Sequence, residues 1–494
     1  MSKALMIQGT ASHVGKSVIT AGLCRLFAQK GFRVAPFKAL NMSLNSGVTP
    51  DGGEIARAQM AQAEAARVAP TVHMNPVLLK PTGDRRSQLI IHGTAAAEVP
   101  SAEYRASVMA LVCEAIEVSL RHLMQAFEIV VIEGAGSPAE VNLPDVANMA
   151  VAALAGAPVL LVTDIDRGGA LAAVAGTMDL LSPHHRSLVR GVIINKFRGE
   201  TDQLRPGLSF LAERTRIPVL GVVPYLDDVG VQEEDALGLR SSRAGRVRVA
   251  VIRLPHLSNF TDFAPLERMA DVHYVPLEGK IGPCDLLVLP GTKSTAADLE
   301  ALRQTGTAGQ VRAAARLGIP IMGICGGYQM LGRRILDPDG LESPVPETGG
   351  LGLLPVSTTF ARPKVTHQAE AEVTTSLGPF GAVTGQRLSG YEIHAGRTTA
   401  DSVDAVSPIR LRARSGKPVD LPDGAITADG RVFGVSLHGL FDNPCFLDAV
   451  AGWLGAVRPA PVREDVYDRL AEVLRRHLDL RTVFDAMGIT AQRI

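Results

Sequence analysis

The sequence predicts an α/β protein of two domains, the first a P-loop domain built on a doubly wound, mostly parallel sheet. Three observations lead there. Short apolar runs of strand type alternate with helical patterns in both halves of the chain. A glycine-rich motif follows the first run directly. The 494 residues also exceed what one ordinary core encloses.

The first series of strands runs Ala4 to Ile7, Arg33 to Phe37, Ile129 to Ile132, Val159 to Val162, Val192 to Ile194 and Val219 to Val222. After the first, Ile19, Leu23 and Leu26 fall on one helical face, and Lys30-Gly31 is a plausible stop, so Gly9 to Ser17 lies on a strand-to-helix turn. From about Glu233 to Arg246 the chain turns polar and turn-rich, as expected where few contacts cross between domains. A second series, Val247 to Ile252, Leu286 to Leu289, Ile319 to Met322 and Val432 to Val435, predicts an independent C-terminal α/β domain. Val466, Leu470, Val473 and Leu474 share a helical face and predict a terminal amphipathic helix. The expected division is residues 1–235, 246–445 and a helical extension over 446–494.

Composition narrows the function classes. Fifty basic residues balance fifty acidic ones, which leaves no global field for gripping nucleic acid or an anionic membrane. Five scattered cysteines without a CxxC pair argue against a disulfide framework or a structural zinc site, and fit a reducing cytoplasm. No signal peptide fits before the motif at Gly9. The charge-free stretch from Val146 to Thr163 is broken by Asn148, Gly156 and Pro158, and reads as an Ala-rich helix followed by a buried strand.

Gly9-Thr10-Ala-Ser-His-Val14-Gly15-Lys16-Ser17 is a P-loop with one residue more between its glycines than the common form. The glycines let successive N–H groups face phosphates, Lys16 reaches the terminal phosphate oxygens, and Ser17 can ligate magnesium, so ATP with Mg2+ is the expected ligand. Ile129 to Ile132 leads into Glu133, placing a carboxylate at a strand's C-terminal end as a candidate magnesium contact. Asp51 and Glu54, on a loop, are weaker candidates of the same kind.

A second chemistry sits in the other half. Cys325 follows a buried strand directly and precedes two glycines and a helical pattern, the layout of a nucleophile elbow. Gly326 and Gly327 leave N–H groups open to an oxyanion, and Gly291, in the Pro290-Gly-Thr-Lys293 turn after another strand, could complete that pocket. His438, at the end of Val432 to Val435, is the best candidate base; His394 and Glu392 remain open as alternative partners. Cys24 and Cys113 lie in helical apolar patterns and read as inert.

Together these residues resemble the cobyric acid synthases, glutamine-hydrolysing ligases of cobalamin biosynthesis within the cobyrinic acid amidase family. Ala35-Pro-Phe-Lys38-Ala-Leu-Asn41-Met-Ser43-Leu-Asn45-Ser, Asp164-Ile-Asp166-Arg167-Gly-Gly and Tyr391-Glu-Ile-His-Ala-Gly-Arg397 carry the resemblance more narrowly than the P-loop does. The first half is similar to dethiobiotin synthetase-type ATPases, the second to class I glutamine amidotransferases with Cys325 as nucleophile and His438 as base. The resemblance implies ATP- and glutamine-dependent amidation of the b, d, e and g carboxylates of adenosylcobyrinic acid a,c-diamide. It implies a corrinoid, ATP and glutamine as small-molecule partners, with neither nucleic acid nor membrane, and leaves the oligomeric state open. It points to Lys38, Asn41 and Arg167 as substrate contacts and to Asn195 and Pro224 on the adenine side. One departure stands out. Many amidotransferases carry a glutamate two residues after the histidine, and Leu440 occupies that position. The competing readings are a cobyrinic acid a,c-diamide synthase and a P-loop switch ATPase with a silent second domain.

Overall fold

A computed structural model describes residues 2–83, 86–100, 108–141, 144–226, 246–403, 405–456 and 465–489. The first domain is organised by a six-stranded, wholly parallel sheet. In spatial order its strands are Val219–Pro224, Val189–Phe197, Val159–Asp164, Lys3–Gly9, Ile129–Glu133 and Val34–Phe37. Each is apolar on both faces because helices cover both. The period-2 alternation of a strand divides its residues between two cores: Met6, Val130, Ile132 and Leu161 enter one, and Leu5, Ile7, Val131 and Val162 the other. The charge-free stretch becomes the helix Met149–Ala155 and the strand Val159–Asp164. Among the described residues no helix is long and apolar enough to cross a membrane.

The second domain has its own sheet, ordered Asp271–Pro276, Arg248–Arg253, Leu286–Leu289, Ile321–Ile324, Val432–Val435 and Ala425–Ile426, antiparallel only at the last pair. The strand expected at Ile319 to Met322 is shifted to Ile321–Ile324. Pro320 has no N–H for a ladder, and its carbonyl instead accepts from Leu287 N–H. That shift brings the strand's end against Cys325. Two features escaped the strand pattern. A small sheet in the first half contains Leu40–Met42 and Val77–Gly83, and a long antiparallel ladder pairs Val356–Val373 with Arg387–Ala400. The latter carries Tyr391 to His394.

The expected linker, 233–246, lies outside the described residues but for its last position. The extension expected over 446–494 is not one unit. Helix Pro444–Leu454 buries Phe446 and Val450 in the second domain's core. Helices Val466–His477 and Leu480–Ala486 return to the first domain, where Leu470, Leu474 and Phe484 join the core around Leu5 and Phe27. Burial of matching apolar faces, not sequence order, decides which domain each helix joins.

Candidate active sites

The phosphate site forms where the parallel strands end, at the C-terminal edge of the first sheet. Gly15 has φ 97°, a left-handed conformation, and caps the helix Lys16–Gln29 that follows. A Cβ there would lie 2.1 Å from Asn195 Nδ2, so only glycine fits the approach of the neighbouring strand. Asn195 Nδ2 donates to the Val14 carbonyl at 2.8 Å and pins the loop; Thr10 Oγ donates to Thr163. Gly9 is closed in by Val14 and Lys16. Lys16 Nζ donates to the carbonyls of Ala11 and Gly136, which hold the ammonium over the loop. Pro224 ends the outermost strand, opposite Phe197.

Ser17 and Glu133 are brought together. Ser17 Oγ donates to Glu133 Oε1 at 2.9 Å, and Lys38 Nζ reaches the same oxygen at 2.9 Å. Gln62 Nε2 donates to the other oxygen. Lys38, assigned by resemblance to substrate, therefore stands at the phosphate end, paired to a buried acid. A hydroxyl and a carboxylate oxygen in contact are hard donors of the kind Mg2+ takes alongside phosphate and water. Asn41 is also buried, donating to Gln59 Oε1, while Gln59 donates to Gln62. Gln59 and Gln62 were missed, although their i, i+3 spacing on the helix Arg57–Ala65 was available as a signal. Arg167 is exposed, 3.7 Å from Asp164.

Glu54 is the correction. Expected as a metal contact, it is buried between Lys80 Nζ at 2.7 Å and Lys364 Nζ at 2.6 Å, with Ser46 Oγ donating as well. Burial works against its charge, and the two ammonium groups override that and hold the carboxyl far below its usual range. Two cations at contact distance make this a poor seat for a third. Asp51 accepts from Thr49 in the adjoining turn.

The thiol site is built at the end of the second sheet. Cys325 has φ 50° and ψ −108°, a conformation that costs about 1–3 kcal/mol for a residue with a side chain and projects the thiol from the strand end. The glycines after it have a steric reason. A Cβ on Gly327 would lie 1.9 Å from the Leu289 carbonyl, and one on Gly326 2.6 Å from Thr292. Gly291 packs against the His438 ring, where a Cβ would stand 3.1 Å from Cε1. The predicted pocket residues thus converge on one place.

His438 is buried and its ring interacts electrostatically with the Cys325 thiol, whose Sγ donates to the Ile393 carbonyl at 3.7 Å. Tyr391 stacks on its ring with centroids 5.2 Å apart, and the two residues exchange backbone hydrogen bonds. The alternatives left open by sequence are otherwise engaged. Glu392 takes a bidentate pair from Arg414 at 2.7 and 2.8 Å, and His394 lies against Glu392 and the Gly396 carbonyl. A carboxylate nonetheless meets the His438 ring, from an unexpected place. Asp262, on the turn Phe260–Phe263, accepts from His438 Nδ1 at 2.7 Å and from Gly439 N–H at 3.1 Å. No spacing rule links positions 262 and 438, so nothing in the sequence separated Asp262 from the other acids.

Burial opposes ionisation of both partners, yet the pair overrides it: Cys325 is shifted down by His438, and His438 up by Asp262 and Cys325. A thiolate beside an imidazolium is the form that attacks an amide carbonyl.

Residues 5–237 match the family described as the CobQ/CobB/MinD/ParA nucleotide binding domain, and residues 248–446 the CobB/CobQ-like glutamine amidotransferase domain. A cobyric acid synthase of Moorella thermoacetica is 48% identical over 509 residues, covering 99% of this chain and 98% of that protein. One from Desulforamulus reducens is 45% identical, with 99% of both chains covered. One from Sorangium cellulosum is 48% identical, with 98% of both covered. With two matched domains and relatives this similar from end to end, the chain belongs to the cobyric acid synthase family.

Proposed function

We propose that the chain amidates the b, d, e and g carboxylates of adenosylcobyrinic acid a,c-diamide to give adenosylcobyric acid, using ATP and glutamine. The observation that carries this reading is the pairing, in one chain, of a P-loop bearing Ser17 against Glu133 with an elbow cysteine bearing His438. Residues 1–235 are assigned the activation step and 246–445 the glutaminase step.

A carboxylate resists attack by ammonia because it is a poor electrophile. Phosphoryl transfer from ATP makes it an acyl phosphate and releases ADP; ammonia then attacks the carbonyl carbon and phosphate leaves. Lys16 and the N–H groups of Gly9 to Ser17 hold the transferring phosphoryl group, and Ser17 with Glu133 would hold Mg2+, whose charge offsets that of the phosphates. In the other domain the Cys325 thiolate attacks the glutamine side-chain carbonyl. His438 hands its proton to the departing nitrogen, ammonia leaves, and water hydrolyses the thioester to glutamate. The N–H groups at Gly291, Gly326 and Gly327 face the developing oxyanion. Asn195 and Pro224 are assigned to the adenine side, Asn41 and Arg167 to the corrinoid.

Mass spectrometry of adenosylcobyrinic acid a,c-diamide incubated with the protein, ATP, Mg2+ and glutamine tests the reading. Stepwise conversion of four acids to amides is expected, and in Cys325→Ala the same conversion is expected from ammonium salts but not from glutamine. An unchanged corrinoid with either nitrogen source would overturn the substrate; glutamine hydrolysis surviving in Cys325→Ala would overturn the nucleophile.

A further inference from the structure

The turn that carries Asp262 does not belong to the second domain alone. Asn259, at its start, has φ 52° and accepts at Oδ1 from the backbone N–H of Ser46, a first-domain residue, at 3.1 Å. Thr261 Oγ donates to Asn45 Oδ1 at 3.2 Å, again across the domain boundary. Asn45, Ser46, Asn259, Thr261 and Asp262 are all buried, so these contacts are made without competing water. The bond that fixes the Asn259 amide leaves its Nδ2 3.4 Å from His438 Nε2. Phe263, next in sequence, is fully buried in the second domain's core. The turn is therefore anchored at one end by its own domain and along its polar side by the other.

We propose that Asp262 is the positioning residue of the glutaminase, standing in for the glutamate replaced by Leu440, and that the first domain's Asn45-Ser46 segment clamps the turn that delivers it. This rests on the glutaminase reading of the second domain. Asp262 acts through His438. A carboxylate on Nδ1–H leaves Nε2 as the nitrogen that exchanges a proton with the thiol, and its second oxygen, held by Gly439 N–H, stops the ring from turning. The clamp makes a completed glutaminase conditional on the first domain being seated. An amidotransferase gains by this, because an unclamped turn wastes no glutamine.

The charged or titratable groups around the ring and sulfur are Asp262, Tyr391, His394 and Asp442, with Arg57 from the first domain. Of these only Asp262 bonds the ring directly, so its loss has a definite sign. Without that carboxylate the imidazolium is less stabilised, His438 gives up its proton more readily, and the falling limb of glutaminase activity against pH moves to lower pH.

The experiment is the pH profile of kcat/KM for glutamine hydrolysis by the full-length chain. Asp262→Asn is expected to lower kcat by roughly 10²-fold or more with KM little changed and the falling limb displaced to lower pH, while Asp262→Glu restores part of the rate. Thr261→Val combined with Asn45→Ala, which leaves the triad side chains in place, is expected to lose several-fold in kcat. An Asp262→Asn enzyme with parental rate, or with a lower rate and an unmoved limb, overturns the positioning role. A parental rate in the double variant overturns the clamp. Failure of the parent itself to hydrolyse glutamine would instead refute the glutaminase reading, so the two failures are told apart.

Discussion

At Cys325 two effects compete. Burial raises the pKa of a thiol, as it does at Cys24, where burial and the charge of Glu133 push it far above its ordinary value. At Cys325 the charge of the His438 ring, with that of His394, outweighs burial and shifts the pKa down. Alkylation by iodoacetamide, followed at each cysteine by peptide mass spectrometry, is thus expected to rise with pH at Cys325 with a midpoint below the ordinary value of about 8.5. Cys24 should stay unmodified until the protein unfolds. An ordinary midpoint at Cys325 would show that the ring does not hold the thiolate. Sequence made Cys325 and Lys16 legible for a shared reason: each sits at the turn between an apolar strand and a helix, where local geometry fixes what a side chain can do. Asp262 was illegible because its role comes from a partner 176 residues away, and the helical spacing of Gln62 gave no sign of its partner 71 residues away. Glu54 misled for the same reason, since its neutralising lysines lie 26 and 310 residues off.

Helix Val466–His477 shows what pattern settles at the level of an element and what it leaves open. Its face of Val466, Leu470, Val473 and Leu474 was readable from spacing, with Leu470 and Leu474 buried, and its start is fixed by Asp465, whose side chain accepts from Tyr467 N–H at 2.8 Å. Its docking site was not readable. It crosses the P-loop helix at Gly22, where any Cβ would stand 2.5 Å from Leu474 Cδ1, so a glycine on one helix is explained only by a leucine 452 positions later. Arg25 adds bonds to Asp465 at 2.9 Å and Asp468 at 3.5 Å, but both acids are more than a third exposed and these pairs contribute little. The apolar contact dominates. Leu474→Ala should cost about 2–5 kcal/mol, read as a lower urea midpoint for the first domain, whereas Asp468→Asn should stay within about 1 kcal/mol of the parent. Equal effects from the two would show that charge, rather than packing, fastens the chain's end.

Across the whole molecule the two sites are connected by one stretch of the first domain. From Glu133 a buried line of amides runs through Gln62 and Gln59 to Asn41, and the same segment continues to Asn45 and Ser46 at the turn beside His438. Around it, Glu54 bonds Lys364, Gln368 donates to the Val48 carbonyl, Val48 packs on Tyr391 and Ile393, and Arg57 lies 3.6 Å from Asp442. On the proposed function, ammonia released at Cys325 would meet these contacts between the domains on its way to the phosphate site. We expect it to cross internally: with amide-labelled glutamine and excess unlabelled ammonium, the amidated product should keep most of its label. Lys364→Met tests whether the contact between domains is the seal. It leaves Lys80 as the remaining lysine on a buried carboxylate that had two, and breaking a buried ion pair costs about 3–5 kcal/mol. Because Lys364 and Glu54 belong to different domains, that cost falls on the contact between them. The variant should hydrolyse glutamine yet lose label to the bulk ammonium, and it should release more free ammonia for each amide formed. Full label retention in the variant would mean that the seal lies elsewhere along the line from Asn41 to Asn259. Equal dilution in parent and variant would mean that the ammonia never travels inside the protein.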